Sequence, residues 1–271
     1  MIIDFHAHTF PEKIAASTVS ALAKKGNVPA YSDGTVNGLL EKMNAAGIDI
    51  ALNLPVLTKP TQFDSILKYS EEISKADFGG KRIISFAGIH PDNEDFIEKL
   101  SEVKAAGFSG IKIHPDYQRT FFDDERYVEI LKEAKRLDLI TVTHAGYDVG
   151  FPDEPIKCTP RRVMRLLEKI GGYGKLVLAH MGGNQLFSEV YDVLCGEDVY
   201  FDTAYVLPFF DKAEFVKMAE KHGEDKILFA TDSPWRSPPG EVELFKSYAL
   251  GRETEQKIFF ENAKNLLNLK V

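Results

Sequence analysis

Eight short apolar runs, the amphipathic stretches between them and a length of 271 residues predict an α/β fold, a (β/α)₈ or TIM barrel. Each run has four to eight residues, which is typical of strands rather than helices. The predicted strands are 2–5, 49–54, 82–89, 110–113, 139–143, 175–179, 199–202 and 226–231.

The stretches between the runs have helical spacing, and several of them end at a glycine, as helices followed by short loops do. The alternative fold is a doubly wound sheet, in which a glycine-rich phosphate loop often follows the first strand, where this chain has HAHTFPE instead. We expect a single domain over 1–271. The predicted helices are 35–46, 92–106, 124–137, 160–170, 184–194, 211–222 and 253–269.

The amino-acid composition argues against some classes of binding partner. The 33 basic and 41 acidic side chains give a net charge of −8, which argues against nucleic acid or an acidic membrane surface as a partner. The sequence shows neither an apolar run of ~20 residues nor a signal-peptide pattern. Two cysteines, Cys158 and Cys195, make no disulfide framework. We expect a cytoplasmic protein that acts on a small molecule, with the oligomeric state open and a homo-oligomer among the options.

Histidines follow the predicted strands. In a barrel, side chains at the carboxyl ends of the strands converge on one mouth. Every buried histidine in that mouth needs a hydrogen-bond partner, and a metal ion is the simplest partner that they could share. The exception is His222, at the end of a helix before a glycine, where we expect a partly positive ring that suits the helix dipole. Six of the seven histidines, and one acid, occupy such strand ends: His6, His8, His90, His114, His144, His180 and Asp232.

The His6-x-His8 spacing suits a metal. Side chains two apart on a strand point to the same face, so both imidazoles could bind one ion. Taken alone, the pair fits two exposed polar residues on an N-terminal strand as well as it fits two metal ligands. A third histidine and a carboxylate would complete a site with room for water.

Four segments in order, DFHAH, THAG, LAHMGG and ATDSPW, resemble the amidohydrolase superfamily. The chain is most similar to the amidohydrolase-related branch, which includes aminocarboxymuconate-semialdehyde decarboxylase, resorcylate decarboxylases and pyrone-dicarboxylate lactonases. The closing segment NAKNLL also resembles that branch, so the resemblance extends from Ile2 to Leu267.

The resemblance implies roles for individual residues. It implies that His180 orients water or polarises the substrate, and that Asp232 exchanges protons besides binding metal. Binuclear members carry a bridging lysine on the fourth strand, but Lys112 lies two residues deeper than His114. We therefore expect one divalent ion, zinc or a similar metal such as manganese, and two metals stay an alternative. The implied metal ligands are His6, His8, His144 and Asp232.

The expected reaction is hydrolysis of an amide, ester or lactone by metal-activated water. The first alternative is metal-dependent, non-oxidative decarboxylation of an aromatic or enoic acid, because the same ligands would serve both reactions. A further alternative is a non-catalytic metal-binding barrel. The candidates for substrate binding are Lys112, His114, His90, Tyr147, Trp235 and Arg236.

Overall fold

The protein, described here from a computed structural model over residues 1–270, is built around parallel strands in chain order. Each strand pairs with the next, apart from β3 and β4, which lie on either side of Phe86 and together occupy the predicted strand 82–89. The strands are β1 (Ile3–Ala7), β2 (Ile50–Asn53), β3 (Arg82–Ser85), β4 (Ala87–Gly88), β5 (Gly110–Ile113), β6 (Ile140–Thr143), β7 (Leu176–Leu178), β8 (Tyr200–Asp202) and β9 (Ile227–Leu228).

The sheet closes between its last and first strands. The backbone N–H of Phe5 donates to the carbonyl of Phe229 at 2.9 Å, and that of Asp232 donates to the carbonyl of His6 at 2.8 Å. The N–H of His8 continues the ladder to the carbonyl of Ser233 at 2.7 Å. Eight predicted strands thus form a closed ring, and the predicted (β/α)₈ barrel is confirmed.

Helices surround this ring. The predicted helices are confirmed with somewhat shorter bounds, while α1, α3 and α9 were not predicted. The long C-terminal helix contains a π-helical stretch, Lys257–Glu261, between α10 and α11. The helices are α1 (Glu12–Gly26), α2 (Val36–Ala46), α3 (Phe63–Lys75), α4 (Phe96–Ala105), α5 (Glu125–Arg136), α6 (Pro160–Ile170), α7 (Phe187–Val193), α8 (Lys212–His222), α9 (Pro238–Ser247), α10 (Arg252–Gln256) and α11 (Asn262–Leu266), with 3₁₀ turns at Pro60–Gln62, Leu207–Phe209 and Glu224–Lys226.

Alternation along β5 shows how the strands direct side chains into the barrel. Ile111 and Ile113 belong to the large apolar layer between the strands and the helices, whereas Lys112 between them reaches the barrel interior. A second apolar cluster fills the barrel, with Phe5 and Phe86 among its largest members, and Leu266 of α11 packs against this cluster. Polar side chains therefore concentrate at the carboxyl ends of the strands.

The structure corrects the expectation for His222. Its imidazole is buried and stacks on the ring of Phe201, with the two centroids 3.7 Å apart. Burial lowers the pKa of His222 to about 4, so the ring is neutral near pH 7. The predicted positive ring at the end of α8 is wrong, because desolvation outweighs the attraction of the helix dipole.

Among residues 1–270, no helix combines the length and the apolar character that a membrane span requires.

Candidate metal centre

Three predicted ligands meet at the junction of the first and last strands. His6 lies within β1, His8 follows it, and Asp232 follows β9. The Nε2 atoms of His6 and His8 are 3.2 Å apart, and Asp232 Oδ1 is 3.6 Å from the first and 3.2 Å from the second. We call these three side chains the ligand group. Two imidazole nitrogens and a carboxylate within this span are a donor set that divalent metals bind.

Hydrogen bonds on the far side of each ring fix which nitrogen faces the ligand group. Nδ1 of His6 is 2.8 Å from Asp202 Oδ2, and Nδ1 of His8 is 2.8 Å from the carbonyl oxygen of Leu54. Because each of these oxygens accepts, each Nδ1 carries the proton and each Nε2 presents a lone pair. Two lone pairs that face each other beside a carboxylate favour a cation between them, so the side chains present fit a metal.

Lys112 extends into the same group. Its Nζ is 3.2 Å from His6 Nε2, so the ammonium donates to one of the two lone pairs. Burial lowers the pKa of Lys112 to about 8, while the carboxylates of Asp202 and Asp232 act in the opposite direction. Although Lys112 lies deeper on its strand than His114, its ammonium therefore contacts the ligand group. The position beside His6 Nε2 thus already holds a positive charge.

The fourth predicted ligand, His144, lies one imidazole away from the ligand group. Its Nδ1 is 3.0 Å from His180 Nε2, and His180 Nδ1 is 2.8 Å from the carbonyl oxygen of Ala204. Because the carbonyl oxygen of Ala204 accepts from His180 Nδ1, His180 Nε2 is an acceptor and His144 Nδ1 is a donor. This leaves a lone pair on His144 Nε2. Within residues 1–270 that buried nitrogen has no hydrogen-bond partner.

A second polar cluster surrounds His144. The ring of His144 stacks on that of His114, with the centroids 4.4 Å apart, and His114 Nε2 is 3.4 Å from Asp148 Oδ2. Asp116 Oδ2 is 3.9 Å from His144 Nε2. Burial raises the pKa of Asp116 to about 7, and the charge of Asp148 adds to this rise. The mouth thus contains buried groups that can bind the polar parts of a substrate.

Both residues expected to take part in catalysis have unusual backbone conformations. His180 has φ 61° and Asp232 has φ 67°, in the left-handed region that favours glycine. Such conformations cost about 1–3 kcal/mol each and concentrate at functional sites. Eight other non-glycine residues within residues 1–270 also have positive φ, so this strain is shared with positions outside the site.

Apart from Asp116 and Asp202, the charged and imidazole side chains described above for this site line one cavity of about 640 Å³. Of the predicted substrate-binding residues, Lys112, His114, Tyr147 and Trp235 lie in its wall. The structure places the other two elsewhere. His90 accepts the backbone N–H of Asp92 on its Nδ1 at 3.1 Å, and Arg236 donates from Nε to Glu241 Oε1 at 2.8 Å. His90 thus stabilises a turn, and Arg236 stabilises the start of α9.

Sequence reasoning missed Asp202. It is the last residue of β8 and of the predicted strand 199–202, so its position at a strand end was a usable signal. Its second carboxylate oxygen accepts the backbone N–H of His180 at 2.9 Å, so it joins His6 to His180. Strand β1 contributes another buried carboxylate, Asp4, which accepts the hydroxyl of Thr231 at 2.6 Å.

Comparisons with known proteins agree with this architecture. A family model described as amidohydrolase matches residues 3–269. No curated protein sequence matches the chain significantly. Three solved structures are similar at 16% identity. The first is 2,6-dihydroxybenzoate decarboxylase in complex with 2,6-dihydroxybenzoate, with a TM-score of 0.71 over 99% of each chain. The others both hold manganese: dihydroxybenzoic acid decarboxylase from Polaromonas with 2-nitroresorcinol, with a TM-score of 0.70 over 99% of this chain and 97% of the other, and 5-carboxyvanillate decarboxylase from Novosphingobium aromaticivorans with a nitrobenzoic acid, with a TM-score of 0.73 over 99% and 96%.

The expectation of hydrolysis as the main reaction is corrected in favour of the first alternative, because most of the named enzymes among the similar structures are decarboxylases, beside one putative 2-pyrone-4,6-dicarboxylic acid hydrolase. The fold and the family model agree with the ordered motifs read from the sequence. The chain belongs to the amidohydrolase family, in its amidohydrolase-related branch.

Proposed function

We propose that the protein is a metal-dependent, non-oxidative decarboxylase of an aromatic or enoic acid. The observation that carries this proposal is the ligand group at a largely apolar cavity whose wall includes Tyr117, Tyr147 and Trp235. An apolar surrounding disfavours a charged carboxylate relative to neutral CO₂. Similar structures that hold a dihydroxybenzoate or its nitro analogues support the same chemistry.

A divalent ion, zinc or manganese, would be held by His6, His8 and Asp232. The Nε2 atom of His144, which has no hydrogen-bond partner among residues 1–270, would supply the fourth ligand. When bound, this ion supplies positive charge that holds substrate oxygens and stabilises their anionic form. Lys112 adds a second positive charge beside His6. Asp202 keeps the His6 ring in the orientation that presents Nε2.

Asp232 would transfer the proton. As the substrate hydroxyl reaches the site, the Asp232 carboxylate accepts its proton and then delivers it to the carbon that bears the carboxylate. The bond from that carbon to the carboxylate breaks, its electron pair returns to the ring, and CO₂ leaves. His180, through its 3.0 Å contact with His144 Nδ1, would orient the His144 ring so that its Nε2 stays free to bind the ion.

The test is CO₂ release by the manganese-loaded or zinc-loaded protein from a panel of hydroxybenzoates and unsaturated acids. We expect at least one acid to be decarboxylated, and Asp232→Asn to lower kcat by about 10²-fold or more, because the proton donor is lost. Turnover of esters or lactones without CO₂ from any acid would overturn the proposal. Metal binding without any turnover would favour the non-catalytic alternative.

A further inference from the structure

The cavity continues beyond the histidines into a cleft between two helices that the sequence did not predict. On one side lie Ile14, Thr18, Leu22 and Gly26, which recur every four residues along α1. On the other side lie Ser65, Ile66 and Tyr69 of α3, preceded by Gln62. Both sets have the spacing of a single helix face, so two facing helices form the cleft.

The cleft is long relative to a single aromatic ring. From Ile14 to Gly26 the helix rises about 18 Å, at 1.5 Å per residue. The cavity volume of about 640 Å³ equals that of about twenty waters at ~30 Å³ each. A dihydroxybenzoate has about eleven non-hydrogen atoms, so if each takes up about the volume of one water, about half of the space would remain.

Apart from Lys13, whose side chain is exposed, the side chains that α1 and α3 contribute to the cavity wall are uncharged. Ile14, Leu22 and Ile66 are aliphatic, and Thr18 and Ser65 add neutral hydroxyls. Within α1 only Ala15 and Val19 are buried, and Ile14 is 48% exposed, so the protein's own side chains leave this face unfilled. An exposed aliphatic side chain in the wall of an active-site cavity gains most from an apolar ligand.

We propose that the substrate is an aromatic acid with an extended, neutral and mainly apolar substituent, which lies between α1 and α3 while its carboxylate end reaches the ligand group. This inference rests on the proposed decarboxylase function. A substituent opposite the carboxylate on the ring would point away from the ligand group when the carboxylate end lies there.

A matched pair of acids tests the inference. The manganese-loaded protein is assayed with 2,6-dihydroxybenzoate and with 2,6-dihydroxy-4-pentylbenzoate, whose chain points away from the carboxylate. Burial of several methylenes predicts a kcat/KM on the order of tenfold or more higher for the pentyl acid. Decarboxylation of the parent acid with no preference for the pentyl acid overturns the inference and leaves the proposed function in place.

Two tryptophan variants on α1 locate the preference. Leu22→Trp narrows the cleft and is expected to lower the ratio of kcat/KM for the pentyl acid to that for the parent acid at least tenfold. Ser20→Trp, at an exposed position on the same helix, is the matched control and is expected to keep the wild-type ratio. Equal ratios in the two variants would place the preference outside the cleft and overturn the inference.

A binding measurement separates the inference from the failure of the reaction. If no acid of the panel loses CO₂, the proposed function fails, and calorimetry then compares 2-nitroresorcinol with 5-pentyl-2-nitroresorcinol on the manganese-loaded protein. Tighter binding of the pentyl compound, lost in Leu22→Trp and kept in Ser20→Trp, supports the cleft as a site for an apolar substituent. Equal binding of the two compounds overturns it.

Discussion

At the scale of single residues, the ligand group depends on hydrogen bonds that lie behind the rings. His6 is anchored by a carboxylate and His8 by a backbone carbonyl, and both anchors hold Nδ1 as the protonated nitrogen. The positions of His6, His8 and Asp232 could be predicted from the sequence, because strand ends converge in a barrel. Which nitrogen faces the ligand group could not, since it depends on Asp202 and Leu54 from other strands.

Asp202→Asn is expected to weaken metal binding by about 10–100-fold, because the amide holds the His6 ring less well than the carboxylate does. The measurement is a metal titration of the chelator-treated protein. Asp198→Asn, which changes an exposed acid that pairs with Lys226, is the matched control. Equal metal affinity in Asp202→Asn and the wild type would contradict the role given to this carboxylate.

Removal of a ligand should be visible in the metal content itself. Elemental analysis of the purified wild type is expected to find about one divalent ion per chain. His6→Ala, His8→Ala and His144→Ala are each expected to lower that content, whereas His222→Ala, which changes a histidine outside the cavity wall, is expected to keep it. A His6→Ala protein with full metal content would show that the ion lies elsewhere.

At the scale of elements, strands and helices with large buried faces could be predicted, and three helices were missed for different reasons. Helix α1 buries only Ala15 and Val19, so it lacks the large buried apolar face of most predicted helices. Helix α9 begins with Pro238-Pro239-Gly240, which resembles a turn although proline is well tolerated in a first helical turn. Helix α3 does have an apolar face, with Phe63, Leu67 and Ile73 buried, and its pattern could have been recognised.

The end of α8 makes the free energy of unfolding depend on pH. The pKa of His222 is about 4 in the folded protein and about 6.5 in an unfolded chain, so the unfolded chain binds the proton first as the pH falls. The stability that the neutral His222 ring contributes is complete above pH 6.5 and is lost as the pH falls toward 4. Of the two charged neighbours, Lys226 lowers the pKa of His222 and Asp225 raises it.

Urea unfolding at pH 7.5 and pH 5 measures this effect. The free energy of unfolding of the wild type is expected to fall by about 2 kcal/mol more than that of His222→Gln, since 1.5 pH units correspond to about 2 kcal/mol. The other buried histidines titrate in both proteins and cancel in the difference. An equal fall in the two proteins would contradict a neutral, buried His222.

At the scale of the whole molecule, closure of the barrel and construction of the site use the same strands. Asp4 in β1 accepts both the hydroxyl and the backbone N–H of Thr231, next to Asp232. The closed fold could be predicted from eight strands in alternation with helices. The partner of Asp4 could not, because it lies 227 residues away along the chain.

Thr231→Val is expected to lower the free energy of unfolding by about 1–3 kcal/mol, because it removes a hydrogen-bond donor from a buried carboxylate without changing the side-chain volume much. Urea unfolding measures the change. Thr254→Val, which removes a hydroxyl from a half-buried contact with Glu224, is the comparison and should cost less. A loss in Thr231→Val no larger than in Thr254→Val would contradict a role of this contact in closing the barrel.

In the proposed function, the ligand group and its metal decarboxylate an acid. The most direct measurement is the rate of CO₂ release from the best acid of the panel by wild-type protein before chelation, after chelation, and after manganese or zinc is restored. We predict loss of CO₂ release on chelation, recovery on reloading, and no recovery in His6→Ala. CO₂ release that continues at the full rate in the chelated protein would contradict the account.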